Sequence, residues 1–260
     1  MARPPAPDPA TDPATDPWAR LRAATPARIG LGRAGDAPSL RAVLDFQRAH
    51  AEARDAVHAA LDEAALRGAL AQAGLGDHPT LSLHSQAPDR ATYLRRPDLG
   101  RRLLPEDAAS LPRGEWDVVF VLADGLSATA LQRHAAPLLG AVLARLPGWR
   151  VGPLVIAHQA RVALGDEIGA GLGATQLAML VGERPGLSVA DSLGVYLTHA
   201  PRPGRRDSER NCISNIHGAG GLSHAAAAAK LAWLMTEARR LGQTGIALKD
   251  DTPLPPLLEG

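Results

Sequence analysis

The clearest feature of the sequence is a change in the spacing of its hydrophobic residues. Between residues 39 and 61, apolar side chains recur at steps of three and four, with charged and amide side chains between them. This spacing predicts an amphipathic helix that begins at Ser39. A second short helix is predicted over residues 64–72, ending at Gly74 or Gly76. The first third of the chain therefore reads as a small helical unit.

A different pattern begins after Trp116. Residues 117–123 form an almost continuous apolar run that is too short for a helix and rich in β-branched residues, which predicts a strand buried on both faces. Helices and strands then alternate, which implies right-handed crossovers and parallel pairing. The predicted fold class is α/β: a small helical N-terminal domain followed by a Rossmann-like domain with a mainly parallel sheet. The remaining predicted elements are strands at 151–157, 176–181, 192–198 and 245–248, and helices at 128–146, 165–174 and 222–240.

Composition separates the two ends of the chain from its middle. Residues 1–16 are dominated by Pro, Asp, Ala and Thr, and residues 251–260 are proline-rich, so we expect a disordered tail and a loosely attached one. Between them we predict a helical N-terminal domain at 17–112 and an α/β domain at 113–250. The first of these domains carries a basic segment, predicted to be an irregular surface, that contains Arg90, Arg95, Arg96, Arg101 and Arg102.

The overall composition excludes several classes of protein. The 260 residues are 45% apolar with a formal net charge of +1, which is unlike a disordered chain and argues against broad electrostatic attraction to nucleic acid or an acidic membrane. The single cysteine, Cys212, excludes an internal disulfide framework and a multi-cysteine zinc site. No apolar run is long enough to span a bilayer. We expect an intracellular protein with no nucleic-acid or membrane partner.

Candidate chemistry follows the predicted strands, because ligands of open parallel sheets bind beyond the carboxyl ends of the strands. Asp124 and Ser127 follow the first buried strand, and Ser127 could equally be the N-cap of the next helix. Glu183 and Arg184 follow a later strand and could hydrogen-bond to a polar ligand. The alternative for these two residues is a structural ion pair.

A third polar loop is predicted at residues 211–217, before an alanine-rich helix. Cys212 and His217 could act as nucleophile and base, or His224 could join them as a metal ligand, but neither arrangement has a recognised spacing. The default interpretation of Cys212 is a small apolar packing residue. The string from Gly30 to Gly35 fits a dinucleotide-binding pattern, although no buried strand precedes it.

Several longer motifs follow one another along the chain: Arg33-Ala-Gly35, Tyr93-Leu-x-Arg-Pro-Asp-x-Gly-Arg-Arg102, Asp124-Gly-Leu-Ser127, Gly182-Glu-Arg-Pro-Gly-Leu187 and Cys212-Ile-Ser-Asn-Ile-His217. In this order and spacing, the chain resembles the small (light) subunit of ethanolamine ammonia-lyase over residues 17–247. This resemblance implies a carbon–nitrogen lyase that uses adenosylcobalamin to convert ethanolamine to acetaldehyde and ammonia by radical chemistry.

The resemblance also implies how the work is divided between subunits. The large subunit is a TIM barrel that holds substrate and the catalytic residues, while the small subunit contacts cobalamin in a higher-order hetero-oligomer. The cobalamin contacts then fall on Val162, Glu183 and Cys212, with no catalytic residue and no metal ligand on this chain. The implied location is the cytoplasm, and in some members a bacterial microcompartment.

Two other classes of function remain as alternatives. A free-standing α/β enzyme using Asp124, Ser127 or Cys212 requires a complete catalytic constellation, and a regulatory nucleotide-binding module requires a phosphate-binding loop. The sequence shows neither feature.

Overall fold

The computed structural model describes residues 16–251. The predicted tails therefore fall almost wholly outside the described residues, which begin at Asp16 and end at Asp251. Within the described part, α1 to α8 are Ala19–Ala23, Leu40–His58, Glu63–Gln72, Arg90–Arg95, Pro105–Ser110, Ala128–Leu143, Leu164–Leu172 and His224–Leu241. The strands β1 to β6 are Thr80–His84, Trp116–Ala123, Leu154–His158, Ala174–Gly182, Leu193–His199 and Arg210–Ile216.

Local side-chain chemistry explains where the helices begin. The Ser39 hydroxyl accepts a hydrogen bond from the backbone N–H of Ala42 at the start of α2, and Ser127 and Ser223 do the same for α6 and α8. Each of these bonds satisfies a backbone donor that has no partner within its helix. The predicted helices at 39–61, 64–72, 128–146, 165–174 and 222–240 are confirmed as α2, α3, α6, α7 and α8.

The sheet is mixed rather than mainly parallel. Its strand order is β1-β3-β2-β4-β5-β6, and the first four strands are parallel, whereas β5 and β6 are antiparallel to their neighbours. The α/β class is confirmed, but the prediction of a mainly parallel Rossmann-like sheet is not. The reason is that β4, β5 and β6 are joined by segments without α-helices, which return the chain in the opposite direction instead of crossing over.

Three details of the strand prediction are wrong. Residues 245–248 form a 3₁₀ turn instead of a strand, the predicted polar loop at 211–217 is mostly strand β6, and β1 was not predicted. The basic segment is not irregular either, because α4 and a 3₁₀ turn at Leu99–Arg101 occupy much of it. Since β1 belongs to the predicted helical N-terminal domain yet pairs with β3, that part of the chain completes the sheet. The division into two domains remains a prediction.

Helices cover the two faces of the sheet unequally. On one face α3, α6 and α8 pack over a continuous apolar core that includes Leu66, Leu139, Leu231 and Ile213. On the other face α7 covers the middle strands, where Ile168 lies in a second, smaller core. The second face of β5 and β6 is more open: Cys212 is exposed. No helix within residues 16–251 combines the length and apolar character needed to cross a membrane.

Glu63 ties α3 to the edge of the sheet. Its carboxylate accepts hydrogen bonds from Ser82 of β1 (2.8 Å) and Arg67 (2.7 Å), and lies 2.8 Å from the His158 ring of β3. Although burial alone would raise its pKa, the hydrogen bonds from His158, Ser82 and Arg67 lower the pKa of Glu63 to about 2. The ionised carboxylate is therefore the form that the folded state prefers.

We expect Glu63→Gln to lower the free energy of unfolding by about 1–2 kcal/mol near neutral pH. This figure is smaller than the pKa shift alone would give, because solvent screens the partly exposed carboxylate. Because the pKa in the folded state lies below the unfolded value of 4.5, the contribution is present above that value and is lost as the pH falls toward 2. Urea unfolding at stepwise pH should show the variant and the wild type converging below about pH 4. Glu52→Gln, on an exposed side chain 4.0 Å from Arg48, is the control and should show no such convergence.

Candidate functional site

An open crevice lies at the carboxyl edge of the parallel strands. Strand β2 lies between β3 and β4. The helix after β2 packs on one face of the sheet, and the helix after β3 packs on the other. Open α/β sheets bind ligands at the point where neighbouring strands lead to opposite faces in this way. The crevice has a volume of about 250 Å³. Its lining comes from the segments after β2, β3 and β4, together with Tyr93 of α4 and Tyr196 of β5.

Asp124 fixes the loop that follows β3. Its carboxylate, 2% exposed as a residue, accepts hydrogen bonds from the backbone N–H groups of Gln159 (2.9 Å) and Ala160 (3.1 Å). Burial raises the pKa of Asp124, while these N–H groups and the nearby Arg90 act in the opposite direction. Because both oxygens are engaged inside the protein, Asp124 positions the loop instead of offering a carboxylate to a ligand.

Tyr93 also holds the loop after β3 in place, through a hydrogen bond from its hydroxyl. Its side chain is fully buried, its hydroxyl donates a hydrogen bond to the Ala160 carbonyl (2.9 Å), and burial raises its pKa. The guanidinium groups of Arg90 and Arg161 lie over its ring, at 5.0 and 4.6 Å from the centroid. The motif from Tyr93 to Arg102 therefore contributes to the crevice, as well as to the surface.

Glu183 is held at the end of β4 by groups from the antiparallel strands. The Ser192 hydroxyl donates a 2.5 Å hydrogen bond to Glu183 Oε2, and the backbone N–H of Asn215 donates to the same oxygen at 3.3 Å. No donor within residues 16–251 bonds to Oε1, and Glu183 forms no ion pair with Arg184 or with any other described residue. The ion-pair alternative is therefore wrong, and one carboxylate oxygen is available to a ligand.

Two of the three predicted contact residues line the crevice together. Val162 follows β3 and Glu183 follows β4, and both belong to its lining. Cys212 lies one strand farther out, directly opposite the crevice residue Tyr196 in the β5–β6 pair, and is not itself part of the lining. The three residues thus follow one face of the sheet from β3 to β6.

The Cys212 thiol is not an activated nucleophile. Although part of the residue is exposed, desolvation by the surrounding protein and the nearby Glu183 raise the pKa of its thiol, whereas catalytic cysteines require a lowered one. Burial and the neighbouring Cys212 also raise the pKa of Tyr196 to about 12, so both groups stay neutral at physiological pH. Both ring nitrogens of His217 are hydrogen-bonded inside the protein: Nε2 lies 2.8 Å from the Asn215 side-chain oxygen, and Nδ1 accepts a hydrogen bond from the Ala219 backbone N–H. His224 Nε2 lies 3.0 Å from Nδ1 of His134.

Other candidate features have structural roles. The Ser127 hydroxyl caps α6 and donates to the Ala190 carbonyl (2.9 Å), as its capping alternative predicted. The Gly30–Gly35 string lies between α1 and α2, and no strand of the sheet precedes it from Asp16 onward, where the described structure begins. Among residues 16–251, no three His, Cys, Asp or Glu side chains are grouped so that they could hold a metal ion.

Sequence reasoning missed two buried polar atoms that have no partner in the loop after β3, the loop that contributes Ala160, Arg161 and Val162 to the crevice. Gln159 Oε1 and Arg161 Nε are buried and have no hydrogen-bond partner in the described structure, and Gln159 adopts a left-handed backbone conformation with φ of 53°. Unsatisfied buried polar atoms are uncommon and frequently mark functional positions. The only sequence signal was an arginine, Arg161, directly before Val162, and a single arginine in a loop does not reveal whether its side chain is buried.

The geometry suits one edge of a large ligand. Pockets that enclose a small molecule usually measure about 300–1,000 Å³, so a crevice of about 250 Å³ cannot surround one. Its walls offer an apolar surface at Val162, a carboxylate at Glu183 and the positive charge of Arg161. A ligand seated here would remain open on one side, where a second protein could cover it.

Comparison with known proteins gives one consistent family. The family model of the ethanolamine ammonia-lyase light chain (EutC) matches residues 15–249. A protein of Azotobacter vinelandii named ethanolamine ammonia-lyase small subunit is 54% identical over 242 residues, which cover 90% of this chain and 88% of that protein. Proteins with the same name from Ralstonia nicotianae (51% identical, 94% and 92% covered) and Rhodopseudomonas palustris (54% identical, 90% of each covered) are equally similar.

Proposed function

The chain belongs to the ethanolamine ammonia-lyase light-chain family, and from this premise we propose that it is the cobalamin-contacting subunit of such a lyase. In this proposal it binds a large subunit, a TIM barrel with the catalytic residues, in a higher-order hetero-oligomer. The complex converts ethanolamine to acetaldehyde and ammonia. We place the complex in the cytoplasm, either free or enclosed in a bacterial microcompartment.

The observation that carries the proposal is the open crevice, which has Val162 and Glu183 on its walls and, among residues 16–251, no catalytic constellation beside them. A free-standing enzyme would need a nucleophile or base there, but Asp124 is fully engaged by backbone N–H groups and the Cys212 thiol has a raised pKa. Binding without catalysis is what a subunit does when its partner contributes the reacting groups.

The crevice residues fit adenosylcobalamin, a large cofactor with an apolar ring face and a rim of amide groups. When bound, the cofactor would supply the radical chemistry. Glu183 Oε1 would accept a hydrogen bond from an amide or hydroxyl of the cofactor, and Val162 would contact an apolar surface. Cys212, exposed beyond Tyr196, would contact a part of the cofactor that extends over β5 and β6.

The test is cofactor binding by the co-purified complex of this chain with its large subunit. We expect Glu183→Ala to weaken adenosylcobalamin binding by about ten- to a hundredfold, because a hydrogen bond to a charged acceptor contributes about 1.5–3 kcal/mol. The control is Glu115→Ala, which removes an exposed carboxylate next to the first residue of β2, at the end of the strand far from the crevice. This variant should bind the cofactor like the wild type. Equilibrium dialysis gives both affinities.

Two outcomes would contradict the proposal. If this chain, tagged and co-expressed with the large subunit, purifies alone and has no effect on ethanolamine-dependent acetaldehyde release, it is not an obligate subunit. If the complex forms but Glu183→Ala binds the cofactor as tightly as Glu115→Ala does, Glu183 is not a contact. Far-UV circular dichroism of both variants separates loss of binding from loss of folding.

A further inference from the structure

A second cavity adjoins the crevice. It measures about 390 Å³ and shares Arg161, Val162 and Tyr196 with the first cavity, so a ligand that lies in one could extend into the other. Its remaining walls are unusual in charge, because three further arginines line it together with a single carboxylate. The arginines are Arg101, Arg205 and Arg206, and the carboxylate is that of Asp207.

Most of this positive charge has no counter-ion inside the protein. Arg205 is paired with Glu209 and donates to backbone carbonyls, but Arg101, Arg161 and Arg206 form no ion pair within residues 16–251. The Asp207 side chain is 95% exposed and lies 3.7 Å from a different arginine, Arg210. Three arginines without an ion pair among the described residues thus line one cavity, and only one carboxylate lines it with them.

Arg161 shows that this arrangement is built and not merely a solvated surface. Its guanidinium lies over the Tyr93 ring at 4.6 Å, and its Nε atom is buried without any hydrogen-bond partner. A buried donor without a partner is costly, which indicates that the surrounding structure fixes this side chain. The terminal nitrogens of Arg161 donate no hydrogen bond to any residue from 16 to 251, so they are free to bind an anion. The cavity also adjoins the N-terminal end of α7 at Ala163, where the helix dipole is positive.

We propose that this cavity binds a phosphate-class oxyanion through Arg101, Arg161 and Arg206. Planar guanidinium groups match the paired oxygens of a phosphate, and several of them share its charge. Two sources have this chemistry: the phosphodiester in the nucleotide arm of cobalamin, and free phosphate. Assigning the anion to the cofactor rests on the function proposed above, whereas anion binding itself does not.

The first arm of the test uses the co-purified complex and two corrinoids. Adenosylcobinamide lacks the nucleotide arm and hence the phosphodiester, but it keeps the ring and the adenosyl group. We expect the double variant Arg101→Gln/Arg206→Gln to bind adenosylcobalamin at least about tenfold more weakly and adenosylcobinamide within about twofold of the wild type. Both side chains lie on exposed residues, so the fold should be unaffected, and Arg161 is left in place because it packs on Tyr93. The control is Arg145→Gln, at a residue just beyond the C-terminal end of α6 and outside the lining of both cavities.

The second arm uses the isolated full-length chain with inorganic phosphate. A rise in thermal midpoint that the double variant loses, with corrinoid affinities unchanged, supports the site and assigns it to free phosphate. A variant that matches Arg145→Gln with both corrinoids and with phosphate overturns the proposal. A wild-type complex that binds neither corrinoid contradicts the proposed function instead, and the phosphate arm then decides the anion site.

Discussion

Replacing Asp166 by alanine is expected to lower the free energy of unfolding by about 3–5 kcal/mol, because it leaves a buried charge without its partner. Asp166 lies in the first turn of α7, and its two oxygens accept hydrogen bonds at 2.7 Å from the two terminal nitrogens of Arg210 on β6. The exposed fractions of the two side chains are 3% and 1%. The Arg210 guanidinium would keep only Thr198, the Arg205 carbonyl and a distant carboxylate.

Chemical denaturation of the isolated chain measures this effect, and two further variants establish its cause. Asp207→Ala removes the exposed carboxylate 3.7 Å from Arg210 Nε and should cost less than about 1 kcal/mol, because solvent already screens that pair. The double variant Asp166→Ala/Arg210→Met removes both charges, so it should be more stable than Asp166→Ala alone. If the double variant is as unstable as the single one, lost packing and not an unpaired charge explains the result.

This ion pair also shows where sequence reasoning succeeded and where it did not. The strand β2 was predictable because a run of apolar β-branched residues has few alternatives to a buried strand. Strand β6 was not, because only Ile213 and Ile216 of its apolar side chains are buried and its other positions are polar. An edge strand with one open face carries little hydrophobic signal. The buried Arg210 at its start could not be distinguished from a surface arginine without knowing that Asp166 lies opposite.

The antiparallel direction of β5 and β6 could have been predicted from the sequence, although the alternation of helices and strands suggested parallel pairing. A parallel connection needs a crossover, usually a helix, and residues 183–192 contain no helical spacing of apolar residues. The short strand predicted at 245–248 failed for a different reason. Gly245 has a φ of +87°, and a Cβ there would lie 2.1 Å from the Ser208 carbonyl, so the chain turns tightly against a neighbouring segment. Such long-range proximity is absent from local sequence.

Sequence reasoning could predict those residues of the candidate site whose position follows from their own segment, but not the contacts between distant segments. Glu183 was found from its place after a strand, and the structure holds it at that strand end. Val162 came only from the family resemblance, because a valine in a loop carries no chemical signal. The unpartnered nitrogen of Arg161 depends on Tyr93, which is distant in sequence and packs beneath it. Contacts between remote segments therefore define the part of the site that sequence could not supply.

The contact between the two central strand-end loops leads to the second large effect, which we expect from Gly182→Ala. A Cβ on Gly182 would lie 2.0 Å from the Ser127 carbonyl oxygen and 2.7 Å from that of Asp124. Both neighbours are backbone atoms fixed by helix and strand, so the loops after β2 and β4 must separate. We expect a loss of about 2–4 kcal/mol in the free energy of unfolding. Gly186→Ala, in the same loop but 3.5 Å from its nearest neighbour, is the matched control.

Separation of these loops should affect binding as well as stability. Gly182 immediately precedes Glu183, while the loop after β2 carries Asp124, which holds the Val162 segment through Gln159 and Ala160. A shift at Gly182 therefore moves Glu183 relative to Val162, and misplacement of one contact by about 1 Å is enough to weaken a hydrogen bond severely. We expect weaker adenosylcobalamin binding by the Gly182→Ala complex, measured below its unfolding midpoint, and unchanged binding by Gly186→Ala. Wild-type affinity in a destabilised Gly182→Ala complex would mean that the cofactor does not bridge these two loops.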